Sequence, residues 1–400
     1  MTLPKITNDW TYIGASDRRL ELFENSYPLP RGVSYNSYLL KDEKTVLMDT
    51  ADNAVREVFL DNLKTALEGR NLDYFVIEHM EPDHGALIAE ICEKYPTAQL
   101  VVNQKIATMI EQFFGLDISE RALIVKEGDT LNTGKHTLSF VMAPMVHWPE
   151  VMMVYDSTEK ILFSADGFGS FGALDGVLYA DEVDYENEWL AEARRYYANI
   201  VGKYGMPVQT VLKKAAGLDI QMICPLHGLI WRKDLGWFID KYQKWSTYTP
   251  EEKGVLIVTG SIYGHTQAVA DKLAMMLTEK GQKNVRVYDA AKTHSSDLLS
   301  EVFRVGTVVL AAATYNGGVF APMETFLNEI KAHTVAKRTF GFIENGSWAP
   351  SAKNFMQGIL SSLKETVFLE ESLLIKSAFK GEQLPDLERM ADSIVRVSME

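Results

Sequence analysis

Hydrophobic and polar positions change their rhythm near the middle of the chain. From residue 254, short apolar runs alternate with amphipathic stretches. "VLIVT" precedes a segment in which Val269, Leu273, Met276 and Leu277 share one helical face. "VRVYDA", a polar helix, "TVVLAAAT", a helix from about Pro322, "RTFGFIE" and a helix after Pro350 follow. Unbroken apolar strands separated by helices predict a parallel sheet covered on both faces. Before residue 250 the strands come in pairs joined by short turns, as in "SYNSYLLKDEKTVLMDT", "HTLSFVMAP" and "VMMVYDSTEKILFSAD", with helices such as "ALIAEICEKY" and "EWLAEARRYYANIV" between them. That mixture predicts a sandwich of mixed sheets with helices outside. The polar stretch "KWSTYTPEEK" marks the seam, giving domains over 1–249 and 250–400.

Length alone predicts roughly two or three domains, since 400 residues exceed what one core serves. A hydrophobic content of 46% with 24% charged residues is that of a soluble protein, and no apolar run nears the ~20 residues of a membrane span. The opening "MTLPKITNDW" lacks the basic and apolar segments of a secretory signal, so a cytoplasmic location is expected. With 40 basic and 54 acidic residues the net charge is -14, which argues against a nucleic-acid partner. The two cysteines, Cys92 and Cys224, build neither a disulfide framework nor a Cys-x-x-Cys metal site, and both read as buried packing residues.

The densest chemistry is "HMEPDHGA", residues 79–86, directly after the strand-like run "YFVI". His79 and Glu81, two apart in an extended segment, point the same way, whereas the adjacent Asp83 and His84 diverge, so one loop can serve two neighbouring metal ions. A helix opening at Gly85 follows. A polar loop with Asp83 stabilised by a helix dipole would explain these residues without a metal. Against that, His147, Asp166 and His227 each follow an apolar, strand-like stretch, the way a rigid scaffold presents ligands at its edge. His136 reads as a solvent-facing strand position, and His294 and His333 lie in polar surroundings without a role.

In the second half, "GSIYGHTQAVA" follows a strand and opens a helix, where glycine, hydroxyl groups and backbone N–H groups suit a phosphate. Neither a Gly-Lys-Ser/Thr loop nor G-x-G-x-x-G occurs in this stretch. "AAATYNGGVFAP" and "FIENGSWAP" leave the next strands of the sheet, so three loops converge beyond the strand ends. Tyr263, Tyr315 and Trp348 can flank a flat ring there, and Gly317, Gly318 and Gly346 let backbone approach it.

The spacing H-x-E-x-D-H, then 62 residues, His, 18 residues, Asp, 60 residues, His resembles the diiron centre of flavodiiron proteins. Residues 254–400 resemble flavodoxin, and the domain order matches that family over nearly the whole chain. The resemblance implies an N-terminal αββα metallo-β-lactamase-like sandwich and a C-terminal α/β flavodoxin-like doubly wound parallel sheet. It implies one iron on His79, Glu81 and His147, a second on Asp83, His84 and His227, and Asp166 bridging them. It also implies FMN, with its phosphate on Ser261, Gly264, His265 and Thr266 and its ring near Tyr315, Asn316, Gly317, Gly318 and Trp348. Tyr263, Thr314, Asn345, Gly346 and Ser347 complete the candidate contacts. Hydrolases of the fold carry a histidine where Glu81 stands; an anionic oxygen in that place favours a harder ion and a ferric state.

The expected activity is four-electron reduction of O2 to water, reductive coupling of NO to N2O, or both. The same resemblance implies a head-to-tail homodimer. The ending "DLERMADSIVRVSME" offers no cysteine-rich electron carrier, so an external donor such as rubredoxin is expected. The competing readings are a zinc hydrolase of the lactamase type fused to a flavodoxin domain, and a flavin-linked carrier with a vestigial metal site. Trp148, Tyr197 and Trp231 are candidates for tuning the metal surroundings.

Overall fold

The computed structural model describes residues 3–399. The chain divides into two compact units, one running up to Tyr196 and including Met206–Tyr242, the other combining Tyr197–Gly205 with the chain from Gln243 onward.

The first unit is built on two large sheets, with two small two-stranded ones beside them. One runs in the order Trp10–Tyr12, Tyr38–Lys41, Thr45–Met48, Tyr74–Val76, Gln99–Val102, Ala122–Ile124; its first pairings are antiparallel and its last three parallel. The other runs Thr130–Asn132, Thr137–Met142, Met152–Asp156, Ile161–Phe163, Met222–Cys224, antiparallel until the final parallel pair. Thr45–Met48, Met152–Asp156 and Ile161–Phe163 are buried along their whole length, which is why they read as continuous apolar runs without alternation. The sheets meet through aromatic side chains: the rings of Trp10 and Tyr38 lie 4.4 and 5.2 Å from that of Phe163.

In the second unit five parallel strands stand in the order Val285–Asp289, Glu252–Gly260, Val305–Tyr315, Thr339–Asn345, Val367–Ile375, that is second, first, third, fourth, fifth. Val255, Ile257, Val309 and Ala311 face the helices His265–Glu279 and Leu384–Met399 through Leu273, Leu277, Met390 and Ile394. Their neighbours Leu256, Val258, Val308 and Leu310, pointing the other way, are equally buried. The fifth strand is absent from the sequence reading. As an edge strand it mixes exposed, half-buried and buried positions, and "VFLEESLLI" therefore lacks the apolar run that betrays a central strand.

His136 is a correction. It is fully buried, with Nδ1 2.8 Å from Asp156 and Nε2 3.1 Å from Asp9, and Asp156 also accepts from the Trp10 indole at 2.9 Å. Alternation placed it outside; two carboxylates and an indole hold it inside.

Burial alone would lower the His136 pKa, but the Asp156 and Asp9 carboxylates outweigh it and raise the value. A folded value above the ~6.5 of an unfolded chain means that protons bind more tightly to the native state. The stabilisation is full below about pH 6 and fades as pH climbs through the raised value. The Tm gap between the wild type and His136→Gln, followed by circular dichroism, is therefore expected to be widest near pH 6 and to shrink above it. A gap that grows with pH would refute the imidazolium.

Candidate metal centre and ligand crevice

Each ligand candidate of the first unit stands just beyond a strand. His79 and Glu81 follow Tyr74–Val76, His147 follows Thr137–Met142, Asp166 follows Ile161–Phe163 and His227 follows Met222–Cys224. All seven candidates are buried. They fall into two groups, His79, Glu81, His147 and Asp166 in one and Asp83, His84 and His227 in the other, with the ligand atoms of each group within 4.8 Å of one another. Asp166 reaches both. Its Oδ2 lies 3.0 Å from His147 Nε2 and 3.4 Å from His79 Nε2, while Oδ1 lies 3.3 Å from His84 Nε2 and 3.7 Å from His227 Nε2. Glu81 Oε2 sits 3.0 Å from His147 Nε2 and 3.3 Å from His79 Nε2.

Asp83 and His84 do not diverge as the extended reading required. Pro82–Gly85 is already a helical turn, so the two side chains converge, with Asp83 Oδ2 3.4 Å from His84 Nε2 and 3.2 Å from His227 Nε2.

These atoms are matched to a cation. His79 Nδ1 donates to Glu150 at 2.7 Å and His227 Nδ1 to the Ser34 carbonyl at 2.7 Å, so in the neutral rings both Nε2 atoms present lone pairs inward. His84 and His227 bring their Nε2 atoms to 3.0 Å, and both Asp83 oxygens and Asp166 Oδ1 are buried without a hydrogen-bond partner among the described residues. Such a cluster of acceptors needs positive charge between its members. Burial would lower the pKa of His147, but Asp166 and Glu81 raise it to about 9. The same balance of burial against carboxylates lifts His79 well above its ordinary value. The carboxylates thus draw either protons or a metal, and metal binding displaces the protons.

Four supporting residues escaped the sequence reading. Asp49, at the end of Thr45–Met48, accepts from the backbone N–H groups of Glu78 at 2.9 Å and His79 at 3.3 Å, fixing the loop exit. Glu150 holds the His79 ring. Glu24, exposed in the turn between Leu22–Phe23 and Tyr27–Pro28, is close enough to the site that partial desolvation and then the Glu81 charge raise its pKa to about 7. Tyr196 packs its ring 5.5 Å from that of His227, and its buried hydroxyl has no hydrogen-bond partner among the described residues. Only its aromatic type, next to the named Tyr197, signalled it. Of the residues proposed from sequence to tune the metals, Trp148 lies 5.3 Å from the His79 ring. Tyr197 instead packs against Trp245 and Phe303, and Trp231 stacks on Phe238.

In the second unit a cavity of about 510 Å³ opens beyond the strand ends. Of the candidate contacts, Ser261, Tyr263, His265, Thr266, Thr314, Asn316, Gly317, Asn345, Gly346, Ser347 and Trp348 line it, joined by Ile262, Ala313, Ala349 and Ser377; Gly264, Tyr315 and Gly318 do not. Gly264, at φ 90°, precedes the helix His265–Glu279 without a side-chain cap, leaving that helix's first N–H groups available to an anion. Asn345 braces the floor: its Nδ2 donates to Thr266 Oγ1 at 3.2 Å and to the Ser377 carbonyl at 3.0 Å, and its Oδ1 accepts from Ser377 N at 3.1 Å. Ser377 follows the unrecognised fifth strand, which is why it went unnamed. At the mouth, Tyr263 is 91% and Trp348 83% exposed, large rings open to a flat partner.

Sheet order and site together define a two-domain flavoprotein whose first domain has the lactamase fold and carries a dinuclear metal site. A family model described as "ODP family beta lactamase" matches residues 33–228, and one described as "Flavodoxin" matches 257–391. The anaerobic nitric oxide reductase flavorubredoxin of Klebsiella pneumoniae is 30% identical over 96% of this chain and 78% of its own length. An uncharacterized protein of Methanocaldococcus jannaschii is 30% identical over 95% of both chains. Among solved structures, rubredoxin oxygen:oxidoreductase from Desulfovibrio gigas superposes with a TM-score of 0.92 at 26% identity, covering 100% of this chain and 99% of that one. The flavodiiron protein of Giardia intestinalis does so with 0.93 at 25%, covering 100% and 97%. The chain belongs to the flavodiiron family.

Two outcomes are expected. Asp166→Asn removes the charge shared by both groups, so metal analysis should find fewer than two irons per chain while FMN content holds. Asn345→Ala leaves Thr266 and Ser377 unbraced and should weaken FMN binding roughly tenfold, about 1.4 kcal/mol, in a fluorescence titration.

Proposed function

We propose that this protein is a flavodiiron reductase that takes O2 to water, couples NO to N2O, or does both. The observation that carries the reading is Asp166, whose two oxygens face two separate ligand groups. His79, Glu81 and His147 hold one iron, Asp83, His84 and His227 the other, and Asp166 bridges. FMN occupies the second unit's crevice, its phosphate on Ser261, Gly264, His265 and Thr266, its ring among Tyr315, Asn316, Gly317, Gly318 and Trp348. Tyr263, Thr314, Asn345, Gly346 and Ser347 complete that site. The corresponding domains span 1–249 and 250–400.

When bound, the metal pair and reduced FMN supply two electrons each, the four that convert O2 and four protons to two waters; two suffice to turn two NO and two protons into N2O and water. The protein's residues do the rest. Asp49 and Glu150 fix the His79 segment so that its Nε2 meets the metal without rearrangement. Burial, then the charges of Asp166, Glu81 and Asp83, push the Tyr196 phenol far up, so it stays a neutral O–H donor on a ring packed against that of His227. A donor held there can hydrogen-bond a diatomic as charge develops on it.

The chain works as a head-to-tail homodimer in the cytoplasm, fed by rubredoxin or another small redox carrier. Two features support this. No helix among the described residues is long and apolar enough to cross a membrane. The exposed Tyr263 and Trp348 rings beside the flavin crevice form apolar surface of the kind that a partner covers.

The test is metal and flavin analysis followed by anaerobic reduction and exposure to O2 or NO. Two irons and one FMN per chain, with either gas consumed and no peroxide accumulating, is the expected result. Zinc in place of iron would return the protein to the hydrolase reading, and peroxide as the main product would reduce it to a flavin carrier.

A further inference from the structure

The two metal positions have matching ligand sets, yet their surroundings differ. Each has one carboxylate of its own, Glu81 or Asp83, and a share of Asp166. Behind the ligands the match ends. His79 Nδ1 meets the carboxylate of Glu150 at 2.7 Å, whereas His227 Nδ1 meets a neutral carbonyl and His84 Nδ1 is buried without a hydrogen-bond partner among the described residues.

Glu150 is held so that it cannot turn away. It is 1% exposed, its Oε1 also accepts from the Met80 N–H at 3.0 Å, and its own carbonyl accepts from Asn103 Nδ2 at 2.6 Å. Asn103 is itself anchored, its Oδ1 capping the helix Gln104–Phe114 through the N–H groups of Lys105 and Ile106. An anion hydrogen-bonded behind an imidazole makes the ring a stronger donor and favours the more oxidised metal, and in a buried site its charge is poorly screened.

We infer that Glu150 makes the two iron positions unequal, so that the one formed by His79, Glu81 and His147 is harder to reduce than the one formed by Asp83, His84 and His227. Glu150 is a positioning residue here, acting through His79 on the metal. The inference rests on the diiron reading.

The experiment is an anaerobic redox titration of the holoenzyme and of Glu150→Gln, with the mixed-valent iron signal followed by electron paramagnetic resonance and FMN by absorbance. Glutamine keeps the acceptor and the shape but loses the charge. The expected variant holds two irons, titrates its FMN where the wild type does, takes its second iron electron at a higher potential, and shows a weaker maximal mixed-valent signal because the two steps converge. Glu150→Asp, which keeps the anion, should retain a wider separation than the glutamine variant. Loss of a single iron in Glu150→Gln, restored in Glu150→Asp, would support the same asymmetry. Unchanged iron steps at full occupancy, or loss of both irons together, would overturn the inference while leaving the diiron reading intact. Zinc in the wild type would remove both.

Discussion

Everything in the first unit is arranged around one carboxylate that no solvent reaches. Asp166 has to be ionised to attract four imidazoles, yet an isolated carboxylate at zero exposure is prohibitively costly in a low-dielectric interior. The surrounding sheets cannot solve this with hydrogen bonds, because Asp166 Oδ1 has none. Positive charge is the solution, and its placement is dictated by the two faces of the carboxylate. Two cations satisfy both oxygens, as well as the Asp83 oxygens that are otherwise orphaned. The metals are therefore part of what makes this core tolerable, which ties folding to metal binding in this unit.

That constraint explains why the candidate ligands come from so many strands. No single segment can surround a bridging group, so the loops after Tyr74–Val76, Thr137–Met142, Ile161–Phe163 and Met222–Cys224 all contribute. Strand ends are rigid because the strands themselves are buried, and side-chain placement inherits that rigidity. Asp49 and Glu150 extend it one layer out, the first through backbone N–H groups and the second through the imidazole. The tuning proposed for Glu150 is thus a by-product of a bracing that the site needs in any case.

How much of this was legible depended on whether the signal was local. Candidate ligands following apolar strands, and loops leaving the strands of a parallel sheet, stand out in the sequence because chemistry and periodicity coincide in a few residues. Asp83 and His84 were misplaced because four residues of helix, Pro82–Gly85, are too short to show a period. His136 was misread because alternation predicts a face, whereas its burial is set by Asp9 and Asp156, far away along the chain. Ser377 was missed with its strand, whose edge position gives it a mixed pattern. Glu150 and Tyr196 carry no motif at all; only their distances to His79 and His227 distinguish them from any other glutamate and tyrosine.

The flavin end answers the opposite electrostatic problem with different means. Its ligand brings an anionic phosphate, so the cradle offers dipoles and N–H groups where the metal end offers carboxylates. The crevice lining includes His265 and hydroxyl or amide side chains, but no aspartate or glutamate. In a chain of net charge -14, keeping acidic groups out of that lining is itself a specific feature, because a single carboxylate there would oppose the phosphate directly. The buried carboxylates of Glu81, Asp83 and Asp166 stand instead among the candidate metal ligands. One polypeptide thus separates its charge by function, anions gathered around Asp166 and neutral donors around Asn345. Each arrangement leaves buried or exposed groups that make physical sense only with the matching cofactor in place.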